Sequence, residues 1–124
     1  MNYLIVFLGA GIGGALRHGV NLGAYRYIGP GLGYGTIIVN IVGSFAMGAI
    51  IAYFAFKGDA PQQWRLFLTT GILGGFTTFS AFSLDAALYY ERGEIGSAVL
   101  YVAASVALSI AALFAGLFLV RQLA

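Results

Sequence analysis

The chain has 124 residues, 60% of them hydrophobic and 8% charged, with a mean hydropathy of +0.93 and a formal net charge of +2. A soluble domain this small clothes its surface with charge, usually about a quarter of its residues, so the composition specifies an integral membrane protein. The absence of cysteine and the single histidine exclude a disulfide framework and a Cys/His zinc site, and the few basic residues make no patch for nucleic acid.

Four apolar windows follow one another, at residues 2–24, 34–56, 66–90 and 96–120, each long enough for a bilayer at about 20 residues per span. The connecting stretches "YRYIGPGLG", "KGDAPQQWR" and "ERGE" hold most of the charged residues and both prolines. This is the layout of a single all-α membrane domain, residues 1–124, with short loops. The first window, opening "MNYLIVFLGAG", resembles a signal peptide's apolar region but lacks the basic residues that should precede one. Three more spans follow it, so it is read as the first transmembrane helix.

The same helix carries Gly9-x-Gly11-x-x-Gly14, the spacing of a dinucleotide-binding turn. That turn needs a βαβ setting and an acid about 20 residues on. The first acid in this chain is Asp59. The glycines fit a membrane role better: Gly9/Gly13, Gly19/Gly23 and Gly71/Gly75 are each four apart, and small residues at that spacing let helix backbones approach closely.

The second window places Thr36, Asn40 and Ser44 on one face. The third clusters Gly71, Gly74 and Gly75 ahead of Thr77 and Thr78, then continues with Ser80 and Ser83. Glycine costs about 1 kcal/mol in a helix, and unwound backbone at membrane depth survives only where protein or a cavity covers it. The third helix is therefore expected to be broken near residues 74–78, with carbonyls free to hold a hard cation such as Na⁺. The fourth window adds Ser97, Tyr101, Ser105 and Ser109, again four apart.

Polar stripes in hydrocarbon either glue helices together or line a wet path. Asp85 is the only carboxylate well inside a span and Arg17 the only candidate cation, so the linings offer mainly neutral donors. Such donors suit a small hard anion, and aromatic ring edges, which carry partial positive charge, can join them. Phe79 and Phe82 are placed to do so, with ordinary packing as the alternative. Basic residues divide three against two or three between the two sides: Lys57, Arg65 and Arg121 face Arg26 and Arg92, with Arg17 near the second set. A chain with so little bias is expected to insert in both orientations and pair as an antiparallel homodimer.

The stretches "GGALRHG" (13–19), "GTIIVNIVGSFAMG" (35–48), "TGILGGFTTFSAFSLD" (70–85) and "YVAASVALS" (101–109) resemble the Fluc-type fluoride channels, or CrcB family, across all four spans and in the same order. The resemblance implies a dual-topology antiparallel homodimer in the bacterial inner membrane. Its two pores would pass fluoride passively outward and reject chloride. It implies a structural Na⁺ at the dimer centre, held by the Gly74 and Thr77 carbonyls. Asn40, Phe79, Phe82, Tyr101, Ser105 and Ser109 match the pore lining, with Ser80 and Ser83 beside it. Arg17 and Asp85 match the vestibule. Ala81 stands where many members have Thr, Asp85 where Glu is common, and Leu73 where Cys is frequent. Two other readings share the chain's size: a small dual-topology, proton-coupled multidrug exporter, disfavoured because the first helix has no acid, and a non-conducting membrane subunit.

Overall fold

The computed structural model describes residues 2–29, 33–58 and 61–123. These residues form helices and no strand: α1 (Asn2–Tyr27), α2 (Tyr34–Lys57), α3 (Gln62–Leu66), a π-helical stretch (Phe67–Leu73), α4 (Gly74–Phe76), α5 (Phe79–Glu91) and α6 (Ile95–Leu123). Four segments are long and apolar enough to cross a membrane: Asn2–Tyr27, Tyr34–Lys57, Gln62–Glu91 and Ile95–Leu123. Each apolar window of the sequence lies inside one of them. The protein is thus an all-helical, multi-pass membrane protein. Pro30 and Asp59 lie outside the described residues.

Large side chains point out and small ones in, the reverse of a soluble protein. Leu4, Phe7, Leu16, Phe45, Phe114 and Phe118 are among the exposed apolar residues, whereas Gly9, Gly13, Gly43, Gly48 and Gly116 are buried. Lipid tails are as apolar as leucine, so burying leucine gains little here; close backbone packing gains more. Two seams are built this way. In the first, α1 lies against the π-helical stretch and α4. A Cβ on Gly9 would sit 2.8 Å from the Gly71 Cα, and one on Gly13 would run into the Ile72 carbonyl. In the second, α2 packs most extensively against α6, where a Cβ on Gly48 would meet the Leu113 carbonyl and one on Gly116 the Phe45 carbonyl. The Gly19/Gly23 pair is different. Neither faces anything within 4 Å, so within one chain that spacing joins no helices.

The third span changes its winding along its length. In the π-helical stretch the Gly74 N–H reaches back to the carbonyls of Thr69 and Gly71. The Thr77 hydroxyl donates to the Leu73 carbonyl at 2.9 Å, a local bond that competes with regular helix. Thr77 (φ −85°, ψ 160°) and Thr78 (φ −153°, ψ 121°) are then extended before α5 begins. The turn into α6 closes with the Arg92 N–H on the Leu88 carbonyl and the Glu94 N–H on the Tyr89 carbonyl, at 3.0 and 2.9 Å.

The seams give a paired expectation. Gly75→Val would set a Cβ 2.9 Å from the Ala10 Cα; it should lower melting stability by about 1–3 kcal/mol, as overpacking does, or abolish monodisperse protein on gel filtration. Gly11→Ala meets nothing within 4 Å and should leave stability unchanged or raise it by up to about 1 kcal/mol.

Candidate functional site

The site grows from two residues of α2 spaced three apart, Asn40 and Gly43. Thr78, being extended, cannot bond within a helix, and both its backbone groups turn to Asn40. The Thr78 N–H donates to Asn40 Oδ1 at 2.8 Å, and Asn40 Nδ2 donates to the Thr78 carbonyl at 3.0 Å. One side-chain amide thus replaces the bonding of a strand neighbour. Gly43 makes the approach possible, since a Cβ there would strike the Thr77 methyl group. The Thr78 hydroxyl caps α5 by accepting from the Ala81 N–H at 3.1 Å, and it lies 3.4 Å from the Ser80 hydroxyl.

Beyond the cap, aromatic rings run from α5 to α6. Phe79 lies 5.6 Å from Phe82, Phe82 stacks on Tyr101 at 5.5 Å, and Tyr101 lies 5.6 Å from Tyr89, centroid to centroid. Tyr101 is buried, and its hydroxyl donates to Asp85 Oδ2 at 3.0 Å. The tyrosine is seated against Gly33, which has a φ of +83° and where a Cβ would stand 2.8 Å from the ring Cζ. Glycine is required there twice, by the left-handed backbone and by the ring.

A cavity of about 400 Å³ opens between α2, α5 and α6, lined on its polar side by Asn40, Ser44, Thr77, Thr78, Ser105 and Ser109. Phe79 and Phe82 form an aromatic wall, and Met47, Val106, Ile110 and Leu113 complete the lining with apolar groups. The Ser105 and Ser109 hydroxyl oxygens are buried and, among the described residues, have no hydrogen-bond partner. Buried polar groups nearly always find one, so these two serines leave hydrogen-bonding capacity, as donor or acceptor, at the cavity they line.

The cavity therefore gathers Asn40, Phe79, Phe82, Ser105 and Ser109, with Thr77 on its wall. Tyr101 is joined to it through Phe82 and lies outside the lining. Ser80 and Ser83 are exposed on α5, and Ser97, first of its stripe, is exposed at the start of α6. Gly74 is exposed on α4, and Arg17 is half-buried on α1, apart from the cavity. Thr78 is the residue sequence reasoning undervalued. A Thr just before an apolar helical run is a cap signal, but its bond to Asn40 has no sequence trace. Gly33 was equally silent.

With this geometry in view, the comparisons are direct. Residues 4–117 match the family model described as CrcB-like protein, Camphor Resistance (CrcB). The chain is 58% identical over 123 residues to fluoride-specific ion channel FluC 2 of Nitrobacter hamburgensis, covering 99% of each chain. It is 59% identical over 123 residues to the fluoride-specific ion channel FluC of Rhodopseudomonas palustris, again 99% of each. To the protein of that name from Methylobacterium nodulans it is 60% identical over 122 residues, 98% of each.

Asn40→Leu should lower melting stability in detergent by about 1–3 kcal/mol for each Thr78 group it strands. A melting midpoint equal to the unsubstituted protein's would mean the two bonds do not hold the extended residues.

Proposed function

The chain belongs to the CrcB family, and from that premise we propose that it is a fluoride-specific ion channel, a passive pore and not an enzyme, through which fluoride leaves the cell across the bacterial inner membrane. The observation that carries this reading is the pair of buried, unpartnered hydroxyls at Ser105 and Ser109. Fluoride is small and hard and holds its water strongly; it enters a low-dielectric path only where donors replace that water. Serine hydroxyls can rotate to donate. The edges of Phe79 and Phe82 present partial positive charge at the same wall. Tyr101 and Asp85 stand at one end of this row, Ser80 and Ser83 beside it, and Arg17 serves to draw anions toward the mouth. The names carried by the relatives give no support to a proton-coupled multidrug exporter.

The finer reading is an antiparallel, dual-topology homodimer with two such pores. It is supported by the near-even division of exposed basic residues, Lys57, Arg65 and Arg121 against Arg26 and Arg92, and by Phe79, which is 77% exposed in the single chain although it borders the cavity. A second copy would cover that ring. We read the interruption at Thr77 and Thr78 as the break that lines this shared region.

A Na⁺ ion fits the donor set. Because the Thr78 N–H is committed to Asn40, the Gly74 carbonyl lacks the donor four residues on, and among the described residues no hydrogen bond reaches the Thr77 carbonyl. Free carbonyl oxygens are what a hard cation takes. Bound by these two carbonyls in each subunit, Na⁺ would take up their unpaired oxygen lone pairs and hold the extended segment in place.

Reconstituted protein should pass fluoride down its gradient without proton coupling, as followed by a fluoride electrode outside the vesicles; vesicles that release none would overturn the reading. Ser105→Ala should lower the flux several-fold while leaving stability unchanged or higher, since it removes a polar group that no protein atom satisfies. Phe79→Ile should also lower the flux, by loss of the positive ring edge. If both variants conduct like the unsubstituted protein, the path runs elsewhere.

A further inference from the structure

We propose that the N-terminal end of α5 is itself part of the anion site: the backbone N–H groups of Phe79 and Ser80, together with the Ser105 hydroxyl, supply fixed hydrogen-bond donors to a small desolvated anion in the cavity. The proposal rests on the channel reading and deepens it.

A helix of thirteen residues begins here at membrane depth. Its first N–H groups have no partner inside the helix. The chain satisfies some of these donors and not others. The Thr78 N–H goes to Asn40 and the Ala81 N–H to the Thr78 hydroxyl. The N–H groups of Phe79 and Ser80 have no acceptor among the described residues. The aligned peptide dipoles add partial positive charge at this same end, and half-helix N-termini at membrane depth are known to receive anionic groups.

An independent observation comes from α6. Ser105 is 3% exposed, its hydroxyl oxygen has no partner, and it lines the same cavity as Thr78 and Phe79. Phe79 on α5 and Ser105 on α6, each with an unused donor, therefore border one space, and the Ser80 N–H follows next in the chain after Phe79. The nearest carboxylate on α5, Asp85, is engaged by the Tyr101 hydroxyl and is not part of the lining. Backbone donors differ from the other groups here in two ways. They do not titrate, and they cannot rotate away. Their positions are set by the Asn40 bridge rather than by a rotamer. They are also stronger donors than ring edges, so a side-chain change at Phe79 should reduce conduction without ending it.

The test is an amide-to-ester exchange, which removes a single N–H and keeps the side chain. The α-hydroxy analogue of phenylalanine at position 79 should lower fluoride efflux from vesicles about tenfold, the scale of one hydrogen bond to a charged partner. The same exchange at Ala81, whose N–H serves the cap, should leave efflux within about twofold and lower melting stability instead. If the ester at 79 fails to elute as a single species, the ester at 80 carries the same expectation. A position-79 or position-80 ester that conducts like the unsubstituted protein, or an Ala81 ester that loses as much, overturns the proposal. Unsubstituted protein that passes no fluoride would instead remove the channel reading on which it rests.

Discussion

The structure depends on one amide. Asn40 donates to the carbonyl and accepts from the N–H of Thr78, so a residue in extended conformation can stay at a depth where no solvent would satisfy it. Unsatisfied backbone in hydrocarbon costs several kcal/mol per group, which sets the direction of cause. Thr77 and Thr78 are not extended simply because glycines and β-branched residues weaken the helix before them. They stay extended because α2 offers Thr78 a substitute for its helical bonds, and Gly43, three residues on, leaves room for the Thr77 methyl group.

The two extended residues leave two kinds of backbone group a few residues apart. Before them, the Gly74 carbonyl lacks the Thr78 N–H, which is committed to Asn40. After them α5 starts, and the Phe79 and Ser80 N–H groups have no acceptor among the described residues. In the channel proposed above, oxygen acceptors would suit a cation and nitrogen donors an anion, with no charged side chain needed. A fixed charge at this depth would be costly and would hold a counter-ion tightly. Neutral dipoles avoid both effects.

Packing explains why there is a cavity at all. Where α2 and α6 meet through Gly48 and Gly116, their backbones touch. Nearer α5, the facing residues are Ser105 and Ser109, small enough to leave space and polar enough to make that space useful. The rings of Phe79, Phe82 and Tyr101 then form a wall from α5 to α6, held at one end by the Tyr101–Asp85 bond and seated on Gly33. Other exposed leucines and phenylalanines, such as Leu4, Phe7 and Phe118, are not part of the cavity lining.

Much of this was legible beforehand. Apolar length marked four spans, and the four-residue spacing put Asn40 and Ser44 on one face and Tyr101, Ser105 and Ser109 on another. The Gly9/Gly13 and Gly71/Gly75 spacings announced close backbone contact, although at Gly19 and Gly23, with the same spacing, an added Cβ would meet nothing within 4 Å among the described residues. The periodicity also enrolled Ser97, which the structure leaves exposed. What the sequence determined by itself was which way each residue points around its own helix axis, because that follows from 3.6 residues per turn alone. Tertiary structure decided who meets whom: Asn40 with Thr78, Tyr101 with Asp85, Gly9 with Gly71, and the Ser105 and Ser109 hydroxyls with no hydrogen-bond partner among the described residues. Partnership depends on the height and rotation of one helix relative to another, and no repeat within a single helix encodes that.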